Sequence, residues 1–273
     1  MSLGFGFGLQ YSKLSGGGSG FEGFLNQFPG ASLGLSLELL DKNYTGSAIK
    51  VRRSSDNAEI DIGFVDGILD TASLLDFVGS GNGFVSIIYD QVGSNNMTQT
   101  TANPQGQIVS NGSVILKGGK PCIIRSANDD GGYISTYAPN DGVTVKGIFY
   151  VGDNENKNGV LLGSKNGGAD FMMFSQDSTK TLFDRSISVN LTKINGLTTT
   201  FSSRGDIFNK TDLQFLLYRE VDFSFNDNKL GLGFFQDTPF GFGMMTFQEL
   251  VIFENTDDAV AKENNINSRY NIY

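Results

Sequence analysis

The chain has 273 residues, of which 39% are hydrophobic and 12% aromatic, so it is long and apolar enough to bury a core of its own. Its formal charge of −9 disfavours nucleic-acid phosphates as partners, and the absence of histidine excludes Ser-His-Asp nucleophiles and histidine-ligated zinc. A single cysteine, Cys122, excludes an internal disulfide framework, and no apolar run predicts a membrane span or a signal peptide.

The first twenty residues read as an arm. Phe5, Phe7, Leu9 and Tyr11 fall on one face at the period of a β-strand, and the run GGGSG at Gly16–Gly20 has the composition of a flexible linker. A disordered terminus is the alternative, but an apolar arm that docks onto a neighbouring subunit explains the alternation better. We therefore divide the chain into an arm, residues 1–20, and one domain, residues 21–273.

The first part of that domain mixes helices and strands. Leu33, Leu37 and Leu40 have helical spacing after Pro29 and predict a helix within Phe21–Tyr44. Asp70 is a good N-cap residue for a second helix. The predicted elements that follow the first helix are strands Ala48–Arg53 and Asp61–Val65, a helix over Thr71–Val78 and a buried strand over Phe84–Tyr89.

From Ile108 onward the pattern becomes all-β. Short apolar runs alternate with clusters of Gly, Asn and Asp, which is typical of a sandwich or a jelly roll. A last helix is predicted over roughly Asp258–Tyr270.

Four ordered anchors carry a resemblance to a known family over about Phe21–Tyr273. They are VRRSSDNAEIDIGF at Val51–Phe64, FVSIIYDQVGSNNMTQ at Phe84–Gln99, GGKPCIIRSANDDG at Gly118–Gly131 and the tail from Phe247 to Tyr273. They resemble phage virion proteins with a concanavalin A-like (laminin G-like) domain, related to the catalytic domain of the arabinofuranosidase B family. The resemblance implies an all-β fold: a concanavalin A-like jelly-roll β-sandwich with a few short helices and an extended N-terminal arm.

The function that this resemblance implies first is structural. We predict a phage virion protein, a fibre or decoration subunit on head or tail, which is made in the host cytoplasm and displayed on the particle. Its predicted partners are other virion proteins, sister subunits in a homo-oligomer with a trimer favoured, and a host surface glycan.

The alternative is a glycoside hydrolase that acts through paired carboxylates, as in the arabinofuranosidases. Such chemistry needs two carboxylates about 5–9.5 Å apart, and Glu220, Asp222 and Glu249 are candidates on late strands. The resemblance also implies an adjacent cysteine pair in the substrate pocket, and this chain has only Cys122. That departure favours a non-catalytic function.

The densest charged constellation surrounds the first anchor. Arg52, Arg53, Asp56 and Asp61, together with Asp90 of the second anchor, predict an ion network that locks the first hairpin onto the sandwich; a sugar-binding patch is the alternative. In a strand, Arg52 and Arg53 point to opposite faces, so only one of them serves an internal network.

Two loop groups remain. Tyr133 and Tyr137, beside Asp129 and Asp130, are the candidate glycan contacts, since a tyrosine ring can pack on a sugar while its hydroxyl stays in water. The oxygen-rich loop with Asp153, Asn154 and Glu155 is a candidate Ca²⁺ site, although it lacks the EF-hand pattern and ordinary turn chemistry also explains it. No other cofactor or metal is predicted.

Overall fold

The computed structural model describes residues 21–125, 132–137, 145–153, 159–164, 171–174, 187–200, 214–223, 230–232 and 246–273. Within these ranges the helices are α1 Phe24–Gln27, α2 Thr71–Val78 and α3 Ala259–Tyr270. The first strands are β1 Ala31–Ser36, β2 Ile49–Arg53, β3 Glu59–Ile62, β4 Phe64–Val65, β5 Ile68–Leu69, β6 Gly83–Ile88, β7 Met97–Thr98, β8 Gly106–Ser110, β9 Ser113–Val114, β10 Leu116–Lys117, β11 Lys120–Pro121 and β12 Ile123–Ile124. The later strands are β13 Tyr133–Ile134, β14 Lys146–Asp153, β15 Gly159–Ser164, β16 Phe171–Phe174, β17 Ile187–Ile194, β18 Leu197–Thr198, β19 Phe215–Phe223, β20 Leu230–Leu232 and β21 Thr246–Phe253.

Most strands join one antiparallel sheet that forms two layers. The back layer pairs β1 with β21, β21 with β14, β14 with β19 and β19 with β17. The front layer runs β3–β2–β6–β7–β13–β20–β15–β16. Strands β8 and β12 connect β6 of the front layer to β21 of the back layer. The predicted all-β sandwich is thereby confirmed.

The main core lies between the two layers. On the front layer, Ile49 pairs with Ile62 and Ile88, and Ile88 pairs with Met97; all four side chains are at most 1% exposed. Leu33 and Leu35 of β1, with other inward residues of the back layer, belong to the same cluster. Alternation at period two therefore decides which residues of the front layer enter the core.

The back layer is buried on both faces. Its outer face carries Phe149, Tyr218 and Phe253, which pack with Phe24 and with Ile266 of α3 in a second core. The Phe149 and Tyr218 rings stack with their centroids 4.6 Å apart. Two-sided burial explains the unbroken apolar runs of β14, β19 and β21, which a one-sided strand would interrupt with polar residues.

The outer face of the front layer carries a row that mixes polar and apolar side chains. Lys50 pairs with Ile87, Ile87 with Thr98, and Thr98 with Ile134, and these side chains are half-buried or exposed. Because residues paired across neighbouring strands share a face, Thr98 and Ile134 lie side by side on the outer surface.

The predicted helix over Leu33–Leu40 is wrong. The segment forms β1 instead, with Leu33 and Leu35 paired against Ile252 and Leu250 of β21. The run SLGLSL also alternates at period two, and pairing with a long buried strand outweighs a weak helical preference.

The other two helices follow their predicted signals. Asp70 caps α2, and its Oδ1 accepts a hydrogen bond from the Ser73 N–H at 3.0 Å. The closing helix α3 begins one residue after Asp258 and ends at Tyr270. Among the helices that the structure describes, none is long and apolar enough to cross a membrane.

Candidate functional site

The turn after β6 is built around the carboxylate of Asp90, which is 2% exposed. Its Oδ1 accepts hydrogen bonds from the backbone N–H groups of Gly34 and Val92, both at 3.0 Å. Its Oδ2 accepts two more, from Gly93 and Asn95, both at 3.1 Å. A carboxylate that accepts four backbone N–H groups fixes the path of the chain around it.

Gln91 extends this anchor to the segment after β1. Its Oε1 accepts from the Leu40 N–H at 2.7 Å, and its Nε2 donates to the carbonyls of Ser36 (3.2 Å) and Glu38 (2.9 Å). Gln91 is 5% exposed, so neither polar end of this side chain is available to a ligand. The Asp-Gln pair of the second anchor is therefore a structural device.

A cleft opens on the outer face of the front layer, beside this turn. Its volume is about 400 Å³, and it lies between the turn, β7 and β13. The lining residues are Ser94, Asn96, Thr98, Gln99, Thr100, Ile134, Ser135 and Thr136. We call this site the outer cleft.

Hydrogen bonds hold the walls of the outer cleft in place. The Thr98 hydroxyl donates to the Ile134 carbonyl at 3.2 Å, and the Ser135 hydroxyl donates to the Asn95 carbonyl at 2.7 Å. The Thr136 hydroxyl lies 3.3 Å from the Asn95 Oδ1. The turn and β13 are thus joined across the cleft.

Two amide side chains complete the walls. Asn96 accepts from the Asp90 N–H through its Oδ1 at 2.9 Å, so its Nδ2 is left as a donor. Gln99 donates from Nε2 to the Gly132 carbonyl at 2.6 Å and accepts from the Thr101 N–H at 2.9 Å. Among the lining residues that the structure describes, hydroxyls and amides surround a single aliphatic side chain, Ile134, and none carries a charge.

The predicted ion network is divided into separate pieces. Arg53 forms a two-bonded pair with Asp56, at 2.8 and 2.7 Å, and its guanidinium lies 4.8 Å from the centre of the Phe77 ring. This pairing lowers the pKa of Asp56 to about 2. Asp61 instead accepts from the Tyr89 hydroxyl at 2.6 Å and lies 3.7 Å from the Lys50 Nζ.

Arg52 points to the other face, as the strand period predicts. Its Nε donates to Gln105 and its Nη1 to Asn57, both at 2.8 Å, and it covers the Phe84 ring at 4.9 Å. In the hydrogen bonds that the structure describes, neither arginine contacts Asp90, whose oxygens are occupied by backbone N–H groups. The five residues do not form one network: Arg53 pairs with Gly83 at the start of β6, whereas Asp90 follows the end of that strand.

The largest buried charge cluster was not predicted. Arg269 of α3 donates two bonds to Glu249 of β21, at 2.6 and 2.8 Å, and one to Glu38 at 2.8 Å. Glu249 also accepts from the hydroxyls of Ser36 (2.9 Å) and Tyr270 (3.2 Å). Lys120 forms an ion pair with Glu38. We call this group the latch cluster, because it fastens α3 to both β1 and β21.

The candidate carboxylates for hydrolysis lie in different surroundings. Glu249 is fully buried in the latch cluster and is not accessible to a substrate. Glu220 is half-buried on β19, where its Oε1 accepts from the Tyr218 hydroxyl at 2.9 Å. Asp222 follows two residues later on the same strand and pairs with Ser188 of β17.

The two candidate glycan tyrosines are buried, which corrects the expectation that their rings are exposed. Tyr133 is 1% exposed; its hydroxyl donates to the Val85 carbonyl at 2.7 Å and accepts from the Gly106 N–H at 2.8 Å. Tyr137 is 3% exposed and donates to Glu254 at 2.8 Å. Burial raises the pKa of both hydroxyls. Both side chains are part of the core between the layers.

Asp153 of the candidate Ca²⁺ loop is 1% exposed and forms an ion pair with Lys117. A carboxylate that already faces an ammonium group is a poor ligand for a cation. Within the described ranges, no group of three or more acidic or cysteine side chains is placed to hold a metal ion. The remaining predicted residues, Asn154, Glu155, Asp129, Asp130 and the arm with Phe5, Phe7, Leu9 and Tyr11, lie outside the described residues.

The outer cleft was missed because its residues carry no charge. Ser94, Asn96, Thr98 and Gln99 all lie inside the second anchor, but neutral polar residues after a strand ordinarily indicate a turn. No local signal in the sequence marks the cleft, because it depends on the long-range pairing of Thr98 with Ile134 in the folded sheet.

Comparison with known proteins finds similarity to arabinofuranosidases. A family model described as the catalytic domain of α-L-arabinofuranosidase B matches residues 36–136. A GH54 α-L-arabinofuranosidase with a glutamate-to-glutamine mutation, soaked with 4-nitrophenyl α-L-arabinofuranoside, is 15% identical with a TM-score of 0.57; the match covers 89% of this chain and 64% of that one. An arabinofuranosidase complexed with arabinofuranosyl-α-1,2-xylobiose is 15% identical with a TM-score of 0.56, over 86% and 62% of the two chains.

These likenesses show a shared fold. The chain spans less than two thirds of the length of the arabinofuranosidase structures that it matches. No curated protein matches the chain.

The comparisons contradict the predicted phage fibre or decoration subunit. The family match lies on the segment that carried the first three anchors, and the similar structures are arabinofuranosidases. The anchors led to a wrong function because their residues stabilise the fold. Asp90 and Gln91 form the hydrogen bonds of a turn, and Arg269 bonds a helix to β21. Such residues indicate an architecture and not its use. The oligomeric state and the location stay predictions.

Proposed function

We propose that this chain is a glycoside hydrolase domain that acts on α-L-arabinofuranosides through paired carboxylates. The observation that carries the proposal is the agreement of two comparisons, one of sequence over residues 36–136 and one of fold over 89% of the chain, on arabinofuranosidases. The absence of histidine supports the carboxylate mechanism, because few other general acids and bases remain.

The first carboxylates to test are Glu220 and Asp222. Glu249 is excluded because it is buried against Arg269. Positions 220 and 222 are two apart on β19, so the backbone places both on one face of the strand, with Cα atoms about 6.8 Å apart. That separation is compatible with the carboxyl distances of about 5–9.5 Å that glycosidases use.

The test is the release of 4-nitrophenol from 4-nitrophenyl α-L-arabinofuranoside. We expect turnover by the wild-type chain, and a loss of about 100-fold or more in kcat for Glu220→Gln and for Asp222→Asn. Glu59→Gln is the matched control, since Glu59 is an exposed strand glutamate of the front layer. Circular dichroism checks that each variant is folded.

Two outcomes would count against the proposal at different levels. If the wild type releases nothing from this substrate or from other aryl pentosides, hydrolysis is not its function. If the wild type is active and both amide variants keep that activity, the acid pair lies elsewhere and only the assignment of Glu220 and Asp222 fails.

A further inference from the structure

We propose that the outer cleft is a second, non-catalytic sugar site that binds a neutral pentose oligosaccharide; the choice of a pentose rests on the proposed arabinofuranosidase function. The site itself is separate from hydrolysis, because none of its eight described lining residues is an acid. A sugar held here is bound and is not cleaved.

The chemistry of the lining selects the class of ligand. Seven of its eight residues carry a hydroxyl or an amide and none carries a charge, so a charged ligand gains no ion pair and an apolar ligand leaves polar groups unpaired. A ligand rich in hydroxyl groups matches donors and acceptors together. Ile134 supplies an aliphatic patch, against which the C–H face of a sugar ring packs.

The wall groups have hydrogen-bonding capacity that the fold does not use. The Thr98 hydroxyl donates its proton to the Ile134 carbonyl, so its oxygen can still accept a hydrogen bond. The Asn96 Oδ1 accepts from the Asp90 N–H, so the Asn96 Nδ2 can still donate. One acceptor and one donor at fixed positions fit the dual character of a sugar hydroxyl.

The walls are also ordered before a ligand arrives. The four bonds to Asp90 fix the turn, and the bond from Ser135 to the Asn95 carbonyl ties the turn to β13. Binding therefore loses little side-chain conformational entropy. A volume of about 400 Å³ falls within the range of ~300–1,000 Å³ found for small-molecule sites.

A peptide is a less suitable occupant. Peptides that bind to sheets usually add a strand at an unpaired edge. Here Thr98 of β7 is paired with Ile87 on one side and with Ile134 on the other, so the cleft lies over the face of the sheet and offers no edge.

The experiment is a calorimetric or NMR titration of the full chain with xylotetraose, a neutral pentose chain without an arabinofuranosyl bond. We expect saturable binding, and at least about a tenfold loss of affinity (~1.4 kcal/mol) in Thr98→Tyr, whose ring fills the cleft. Thr198→Tyr is the matched control, because Thr198 is also an exposed strand threonine but lies on β18 and does not line the cleft. That control should bind as the wild type does.

Charge selectivity gives a second arm. Trigalacturonic acid, which carries carboxylates, should bind at least about tenfold more weakly than xylotetraose to a cleft without cationic groups. If Thr98→Tyr does not fold, Thr98→Val removes only the hydroxyl and should weaken binding several-fold.

Three results would overturn the proposal: no binding of xylotetraose at about 10 mM, equal affinity in the wild type and Thr98→Tyr, or equal affinity for the charged trimer. A failure of arabinofuranoside hydrolysis would leave the binding result standing, since xylotetraose binding is measured without turnover.

Discussion

Two polar regions of this molecule use their side chains in opposite ways. In the latch cluster, Arg269 and Lys120 are neutralised by Glu38 and Glu249, and the hydroxyls of neighbouring residues occupy remaining lone pairs. In the outer cleft, the lining is neutral and part of its hydrogen-bonding capacity is unused. The region with the highest charge density therefore builds the fold, while the neutral region is the one that remains open to a ligand.

Desolvation explains the difference. A buried carboxylate is tolerated only when it is paired or hydrogen-bonded, so the charges of an interior cluster bond to one another and leave little capacity for a ligand. Hydroxyls and amides have a smaller desolvation cost and remain at the surface with one partner made and another available. A buried cluster of charges in this fold is for this reason not by itself evidence of a ligand site.

The largest effect should come from breaking the latch cluster. Arg269→Met leaves the fully buried Glu249 without its cation, and we expect a loss of about 3–5 kcal/mol in the free energy of unfolding. Urea unfolding measures it. Arg53→Met, which removes a solvent-exposed pair, should change the unfolding midpoint only slightly.

A double variant tests the cause of that loss. Replacing Glu249 by leucine in the Arg269→Met background removes the stranded charge and should recover part of the lost stability. A double variant no more stable than the single one would show that the cost is lost packing of α3 and not an unpaired carboxylate.

A smaller effect should follow at the turn beside the outer cleft. Asp90→Asn replaces one acceptor oxygen by an NH₂ group, so two of the four backbone N–H groups lose their partner. We expect a loss of about 2–4 kcal/mol in unfolding free energy and weaker binding of xylotetraose, because the turn carries Ser94 and Asn96.

The matched change for that experiment is Asp66→Asn. Asp66 lies in an exposed turn at φ 52°, a conformation that asparagine tolerates well. This variant should unfold and bind as the wild type does. If Asp90→Asn also behaves like the wild type, the four N–H bonds do not hold the turn.

The smallest effect concerns Asp56, whose pKa falls from 3.8 to about 2 beside Arg53. An acid with a lowered folded-state pKa stabilises the fold above its unfolded pKa, and that contribution disappears as the pH falls through the folded value. The stability difference between the wild type and Asp56→Asn should thus be small at pH 5 and smaller still at pH 2, where about half of the folded carboxyl groups are protonated. Urea midpoints at the two pH values measure it; a difference that does not decrease between pH 5 and pH 2 contradicts the ion-pair explanation.

Local signals in the sequence predicted local structure well. Asp70 as an N-cap, the buried strand near Phe84 and the closing helix all depend on neighbouring residues, and the structure confirms them. The segment from Leu33 failed because its partner, β21, lies more than 200 residues away and imposes a strand. The all-β class was readable from many short apolar runs separated by turn residues.

The sites were harder to predict than the fold. Tyr133 and Tyr137 look like surface residues beside two aspartates, but both are buried, and their hydroxyls bond to Val85 and Glu254, which are distant in sequence. No residue near Arg269 or Glu249 in the sequence indicates that these two side chains form an ion pair. Long-range pairs between polar groups have no periodic signal, so they become visible only in the folded chain.

The antiparallel ladder between β1 and β21 has a consequence for how the protein is made. Ala31 faces Phe253 and Ser36 faces Glu249, so β1 obtains its neighbour only after more than 200 further residues have been synthesised. Contacts of such wide separation slow folding, and a nascent chain on the ribosome would carry an unpaired apolar edge over that interval. Holding chaperones, and slow growth at low temperature, should accordingly improve the yield of recombinant protein.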